Sequence, residues 1–307
     1  MLMKSIRRNC LSLIIALPLA LNVTASAAEK SVRIDGSSTV FPAVEAMAEE
    51  FREAHGSIKV NIGVSGTGGG FKKFVAKEID IANASRKMKP TEVEAAQKTA
   101  VKYQMVPVAF DGITVVINPK NTWATTITVE ELKTIWGKDS KVKNWSDVRK
   151  EWPNRPIKLY GPGTDSGTFD FFTEAINGKA GESRSEFVKS EDDNVLVTGV
   201  SGDLDAMGYF GYTYFKENSK KLKAVTINDG KNAVAPSEKT IADGSYKPLG
   251  RQVFIYLNLE SYKKREEVKT FVDFFMKEAD RVIPDVGLIS LGKKSYDEEL
   301  KKLQAAK

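Results

Sequence analysis

The sequence predicts an α/β protein of two lobes, and three observations carry that prediction. Short apolar strands alternate with amphipathic helices along the chain, the pattern of a sheet flanked by helices. At 307 residues the chain is long enough for two domains of ordinary size, each with a well-buried core. Two apolar segments, one over 105–117 and one over 252–257, read as an outward and a return crossing between the lobes. On this reading one lobe comprises 29–110 with 250–307, and the other 111–249.

The first residues stand apart. Lys4, Arg7 and Arg8 precede an apolar run from Leu11 to Val23, and Ala25-Ser26-Ala27 offers small residues for cleavage. This is the pattern of a secretory signal peptide over 1–28, too short and wrongly flanked for a membrane span. The only cysteine, Cys10, lies before the apolar run, so cleavage removes it and leaves neither a disulfide nor a lipid-anchor cysteine. The expected mature chain is soluble and extracytoplasmic. Loss of the three basic residues lowers the net charge from +6 to about +3. That excess, spread among many acids, does not suggest nucleic acid, but it suits a small anion.

In order, Ser31-Val32-Arg33-Ile34 alternates as a strand. Asp35-Gly36-Ser37-Ser38-Thr39 then turns into a helix with Val40, Val44, Met47 and Phe51 on one face. Pro42 fits the first turn, and Ser38 or Thr39 reads as the N-cap. A strand over 58–63 leads to Val64-Ser65-Gly66-Thr67-Gly68-Gly69-Gly70 and a helix carrying Phe71, Phe74 and Val75. Four glycines in five positions are costly in entropy, so something needs the backbone exposed there. No G-K-[ST] follows, and Phe71 stands where G-x-G-x-x-G needs its last glycine, so neither nucleotide motif fits.

Ile79 to Ala82 is a short strand ending in Asn83-Ala84-Ser85-Arg86, and Pro90 begins the next helix. Arg86 is thereby placed at a strand's C-terminal edge, where α/β folds hold ligands. Met105–Phe110 and Ile113–Ile117 read as two strands joined by Asp111-Gly112. Thr128-Val129-Glu130-Glu131 is a capping box, and Trp136, Trp145 and Trp152 suit core packing better than a sugar platform. Asn194–Val197 and Ala206–Tyr212 read as strands. Pro248-Leu249-Gly250-Arg251 leads into the return crossing, and Glu266–Ala279 is an amphipathic helix. The charged end, 293–307, reads as a surface helix.

The centre of this pattern is Gly163-Thr164-Asp165-Ser166-Gly167-Thr168. It follows the strand Ile157–Tyr160 and opens a helix with Phe169, Phe172 and Ile176, stopped by Asn177-Gly178. Strand, small-residue loop and helix start aim backbone N–H groups at one point where an anion can sit. With Ser38-Thr39, Thr67-Gly68 and Ser85-Arg86, four such loops are present. Their neutral donors suit a tetrahedral oxyanion, and Arg86 would add a charge-assisted contact. Asp165 repels anions unless the ligand carries a proton to donate, as hydrogen phosphate does and sulfate does not. An acceptor spent on that proton would reject sulfate.

Five stretches occur in an order that resembles a known family: Gly36-Ser37-Ser38-Thr39-Val40-Phe41-Pro42, Gly68-Gly69-Gly70-Phe71-Lys72, Ala84-Ser85-Arg86, Asp165-Ser166-Gly167-Thr168-Phe169 and Met207-Gly208-Tyr209. They are similar to those of the periplasmic phosphate-binding proteins that serve ABC-type phosphate importers, over nearly the whole mature chain. The resemblance implies a type II periplasmic-binding fold whose lobes, hinged on two crossover strands, close on inorganic phosphate. It implies a monomeric receptor that is not an enzyme, has no cofactor or metal, and meets the permease subunits of an importer. By position, Thr39 and Val40, Thr67, and Ser166, Gly167 and Thr168 would bind phosphate. Ser38, Gly68 and Ser85 join them as loop neighbours. Ser85 and Pro162 occupy places where the better-known branch carries an aspartate and an arginine, so Arg86 and Asp165 are expected to supply that charge pair.

Besides a secreted or surface adhesin that merely keeps the fold, two other readings remain. One is a receptor for a different oxyanion. The other is a secreted hydrolase of phosphate esters using Ser166, against which stand the absence of a G-x-S-x-G elbow and a single histidine, His55.

Overall fold

The computed structural model describes residues 30–306 except 165 and 191. The leader expected over 1–28 therefore lies outside the described residues. The chain begins with β1 (Ser31–Gly36), α1 (Phe41–Ala54), β2 (Lys59–Gly63), α2 (Gly66–Val75), β3 (Ile81–Ala84), α3 (Pro90–Lys98) and β4 (Tyr103–Ile117). There follow β5 (Thr126–Thr128), α4 (Val129–Trp136), β6 (Lys158–Gly161), α5 (Gly167–Asn177), β7 (Val188–Lys189), α6 (Asp193–Gly202), β8 (Ala206–Gly211) and α7 (Tyr212–Glu217). The last third holds β9 (Lys223–Ala224), β10 (Thr226–Asn228), β11 (Ala233–Val234), α8 (Glu238–Ala242), β12 (Gly250–Asn258), α9 (Leu259–Lys264), α10 (Glu266–Asp285) and α11 (Lys293–Ala305). No helix among the described residues is long and apolar enough to cross a membrane.

One mixed sheet in the order β2-β1-β3-β12-β4-β8-β6-β7 runs through the molecule, with β9 also paired to β4. β1 lies parallel to β2 and β3, whereas β12 is antiparallel to both β3 and β4. β4 is a single strand where the sequence reads as two. Asp111-Gly112 does not turn, because Asp111 stands opposite Arg251 and Gly112 opposite Gly250 in the β12 ladder. Beyond Gly112 the same strand pairs with β8. β4 and β12 thus carry the chain between two apolar clusters.

The first cluster packs α1, α10 and α11 on β1, through Val44, Met47, Phe51, Phe271, Phe275 and Tyr296. α11 is therefore more than a charged surface helix, since Tyr296, Leu300 and Leu303 are buried. The second cluster gathers Trp136, Trp145, Trp152, Phe169, Phe172 and Tyr209, which puts the tryptophans in the core. Phe172 and Tyr209 stack at 3.7 Å between centroids. Residues 194–197 belong to helix α6 and not to a strand. Asp192 caps its start, accepting from Asn194 N at 2.9 Å, and Leu196, Val197 and Val200 are its buried face.

The glycine-rich stretch is itself the first part of helix α2, held by backbone packing. A Cβ on Gly70 would lie 2.6 Å from the Gly36 Cα and 2.9 Å from the Asp35 carbonyl oxygen. A Cβ on Gly36, whose φ is +142°, would lie 2.1 Å from the Asn83 carbonyl oxygen. The helix therefore sits directly on the end of β1, and β1 on the end of β3. Alanine at position 70 improves helix propensity by about 1 kcal/mol, but here it meets backbone that cannot move aside. Gly70→Ala is expected to lower the unfolding free energy by about 1–2 kcal/mol net, within the usual range for overpacking, measured by urea denaturation.

Candidate functional site

The strand ends of β1, β2, β3 and β6 each lead into a loop or helix start, and these meet beside a cavity of about 210 Å³. Seven expected residues line it: Ser38, Thr39, Thr67, Gly68, Ser85, Arg86 and Gly167. Ser166 and Thr168 line a neighbouring cleft of about 720 Å³, which shares Ser38, Thr39 and Gly167 with the smaller cavity. Val40 is fully buried in the first cluster and lines neither space. Asp165 lies outside the described residues.

The two sides touch at Gly167. A Cβ there would lie 2.9 Å from both the Ser38 Oγ and the Thr39 N. Only a bare backbone lets the start of α5 approach the β1–α1 loop this closely. Ser166 caps α5, its Oγ accepting from Thr168 N at 3.1 Å. Thr67 and Ser85 are also joined, with hydroxyls 3.0 Å apart and Ser85 N donating to Thr67 Oγ1 at 3.1 Å. The capping expected of Ser38 or Thr39 is absent: Val40 is the N-cap of α1, without a side-chain hydrogen bond. The Thr39 hydroxyl is turned to another partner.

That partner is Arg251, which sequence reasoning did not single out as a site residue. Its Nη2 donates to Thr39 Oγ1 at 2.8 Å and its Nε to Asp111 Oδ2 at 3.2 Å. Its guanidinium carbon lies 3.5 Å from the centre of the Phe171 ring on α5. Burial pushes the Arg251 value down, opposed by the Asp111 carboxylate. Nη1 makes no hydrogen bond among the described residues. A signal was present in the sequence: Arg251 heads a run, 253–257, that is otherwise apolar and buried, where a charge needs a reason.

Arg86 faces the same cavity but is already engaged. Its Nη1 and Nη2 donate to the two carboxylate oxygens of Glu92 at 2.8 and 2.9 Å. Glu92 also caps α3, accepting from Lys89 N at 2.7 Å. The bidentate partner of Arg86 here is thus a protein carboxylate. Hydrogen bonding to Glu92 holds the Arg86 guanidinium above its ordinary value. Burial alone would raise Glu92, yet the bonds from Arg86 and Lys89 keep it below the usual range.

Beneath the α2 start lies Asp35, 5% exposed. Its Oδ1 accepts from the Ser65 hydroxyl at 2.5 Å and from Ser65 N at 3.0 Å, while Oδ2 accepts from Lys73 Nζ. One carboxylate therefore ties the loop before α2 to a side chain two turns along that helix. What results is three helix starts, several neutral donors and a guanidinium around one small space, an arrangement that favours an anion. Among the described residues the hydrogen bond of the Ser166 side chain is the one that caps α5. His55 is half-buried, its ring 4.6 Å from that of Phe51 between centroids. No group of His, Cys, Asp or Glu suited to a metal occurs among the described residues.

Comparison with known proteins adds to this geometry. A family model described as a PBP superfamily domain matches residues 22–279. Protein SphX of Synechococcus elongatus is 49% identical over 275 residues, covering 89% of this chain and 81% of that protein. The phosphate-binding protein PstS of Staphylococcus saprophyticus is 38% identical, over 92% of this chain and 87% of its own. Among solved structures, a possible phosphate binding protein from Planctomyces limnophilus is similar with a TM-score of 0.87 and 47% identity. That match covers 90% of this chain and 98% of the other.

The Asp35 clamp generates a pH dependence. Burial would raise the Asp35 carboxyl, but hydrogen bonds from Lys73 and Ser65 outweigh it and hold the group below its ordinary value. A depressed folded value means that the stabilisation is complete above the unfolded value, about 3.9, and is lost as pH falls through the folded one. The stability difference between the parent and Asp35→Asn should accordingly be constant from pH 7 to 5 and shrink below about pH 4, followed by urea unfolding across that range.

Proposed function

The chain belongs to the PBP superfamily and, within it, to the PstS-like substrate-binding proteins, and from that premise we propose that it binds inorganic phosphate outside the cytoplasm and hands it to an ABC importer. The observation that carries the reading is Arg251: a largely buried guanidinium whose Nη1 makes no hydrogen bond among the described residues, facing a cavity whose wall includes Ser38, Thr39, Thr67, Ser85 and the start of α5. Phosphate placed there gains a charge-assisted contact with a largely buried guanidinium, while backbone N–H groups and hydroxyls take its remaining oxygens.

In this reading Ser38, Thr39 and Val40 present the first loop, and Thr67 and Gly68 the start of α2. Ser85 and Arg86 form the β3 edge, and Ser166, Gly167 and Thr168 the start of α5. Asp165, adjacent to Ser166, is the proposed acceptor for the phosphate proton. Arg251 supplies the counter-charge that the sequence reading had assigned to Arg86, whose own charge Glu92 already balances. The lobes are 29–110 with 250–307, and 111–249, and the protein acts as a monomer exported by its leader. Phosphate sits between loops that already meet at Gly167, so it adds attraction between the lobes. The domain match and these relatives support a binding role over catalysis.

Isothermal titration with phosphate and sulfate tests this. Phosphate is expected to bind far more tightly than sulfate, and equal affinities would overturn the role given to Asp165. Asp165→Asn should narrow that discrimination. Arg251→Met is expected to weaken phosphate binding by about 3 kcal/mol or more, as for a truncated buried charge contact. Thermal unfolding of the unliganded variant separates this loss from a loss of fold.

A further inference from the structure

The cavity changes character along its length. At its closed end lie Ser37 and Phe171, both buried; at its mouth lie Lys89, Asp170 and Glu174, all exposed. Its 210 Å³ has room for roughly seven water-sized groups, more than one orthophosphate fills. Space alone therefore does not keep out a second phosphoryl group.

Charge does. Asp170 and Glu174 are four residues apart on α5, so their side chains lie one above the other on the face turned to the cavity. Neither carboxylate forms an ion pair or hydrogen bond among the described residues. Although Asp170 is exposed, its carboxyl is partly desolvated against the cavity wall, and this, followed by Glu174, pushes it above its ordinary value, with Arg251 opposing. On the facing side, Arg86 is balanced by its two-pronged bond to Glu92, which leaves Lys89 as the cation there. At the closed end Arg251 is paired with Asp111 and still attracted by Asp170 and Glu174, while among the described residues the mouth is negative on balance.

We propose that Asp170 and Glu174 form an electrostatic gate that restricts the site to a single phosphoryl group, turning away diphosphates and phosphate esters that carry a second anionic group. The gate rests on the reading of this cavity as the phosphate site. Orthophosphate, once seated, keeps its charge beside Arg251 and the helix starts. A diphosphate seated in the same way must hold its second phosphoryl group against two carboxylates.

The test is calorimetric titration of the parent, Glu174→Gln and the double variant Asp170→Asn/Glu174→Gln with orthophosphate and with pyrophosphate, at constant ionic strength near neutral pH. The parent should bind orthophosphate at least about a hundredfold more tightly than pyrophosphate. Glu174→Gln should strengthen pyrophosphate binding about tenfold and the double variant further, with orthophosphate affinity held within about threefold. Pyrophosphate affinities that do not move in either variant, while the parent binds orthophosphate, overturn the gate and leave the phosphate reading intact. A parent that binds pyrophosphate as tightly as orthophosphate overturns it as well. A parent that binds no orthophosphate overturns the phosphate reading and the gate together.

Discussion

The pairing of Arg251 with Asp111 is the contact on which the arrangement of the site depends. The two residues face each other across the strands that carry the chain between the two clusters. From that position the guanidinium reaches Thr39 in the β1–α1 loop and lies against Phe171 on α5. One charged group therefore touches both crossing strands, a loop of the first lobe and a helix of the second. An arginine so placed is expensive to bury, and a single carboxylate only partly offsets that cost. Among the described residues Asp111 is the only carboxylate that bonds the guanidinium, while Asp170 and Glu174 act on it without a hydrogen bond, so part of its donor fork is left for an anion.

A second constraint holds the opposite wall. The glycine-rich stretch has the composition of a loose loop, but Asp35, Ser65 and Lys73 pin its start, and Gly36 and Gly70 let helix and strand backbones pack directly. The entropy that glycines lose on folding is offset by contacts that no other residue permits. Rigidity in this wall matters because donors that need no rearrangement bind an anion at lower cost. Both constraints share a logic in which a buried carboxylate, Asp111 or Asp35, orients groups at the cavity without lining that cavity itself.

Much of this could be read from the residues. The alternation of strands and helices, the two crossings and the four loops follow from periodicity and from small polar residues at strand ends. Seven of the expected site residues line one cavity because the loops that hold them leave neighbouring strand ends. What escaped the sequence were relations between distant residues. Nothing near Arg86 announces that Glu92 will curl back to bind it, since a glutamate in a first helical turn has an ordinary capping role of its own. Arg251 stands 212 positions from Thr39, so its part in the site is set by strand order, which local pattern does not encode. Residues 194–197 read as a strand because their apolar run is short and continuous; Asp192 as a cap decided for the helix.

The place of β12 also bears on how the molecule comes to exist. This strand lies between β3 and β4, whose residues are made more than 130 positions earlier. Until it arrives, the two strands of the first lobe flank an open gap, and no local segment can fill it. Pairings so remote in sequence close slowly and keep strand edges exposed meanwhile. The nascent chain consequently has no finished first lobe to protect while its second half is still being synthesised. The topology that couples the lobes at the candidate site thus also postpones completion of the sheet until nearly all of the chain is available.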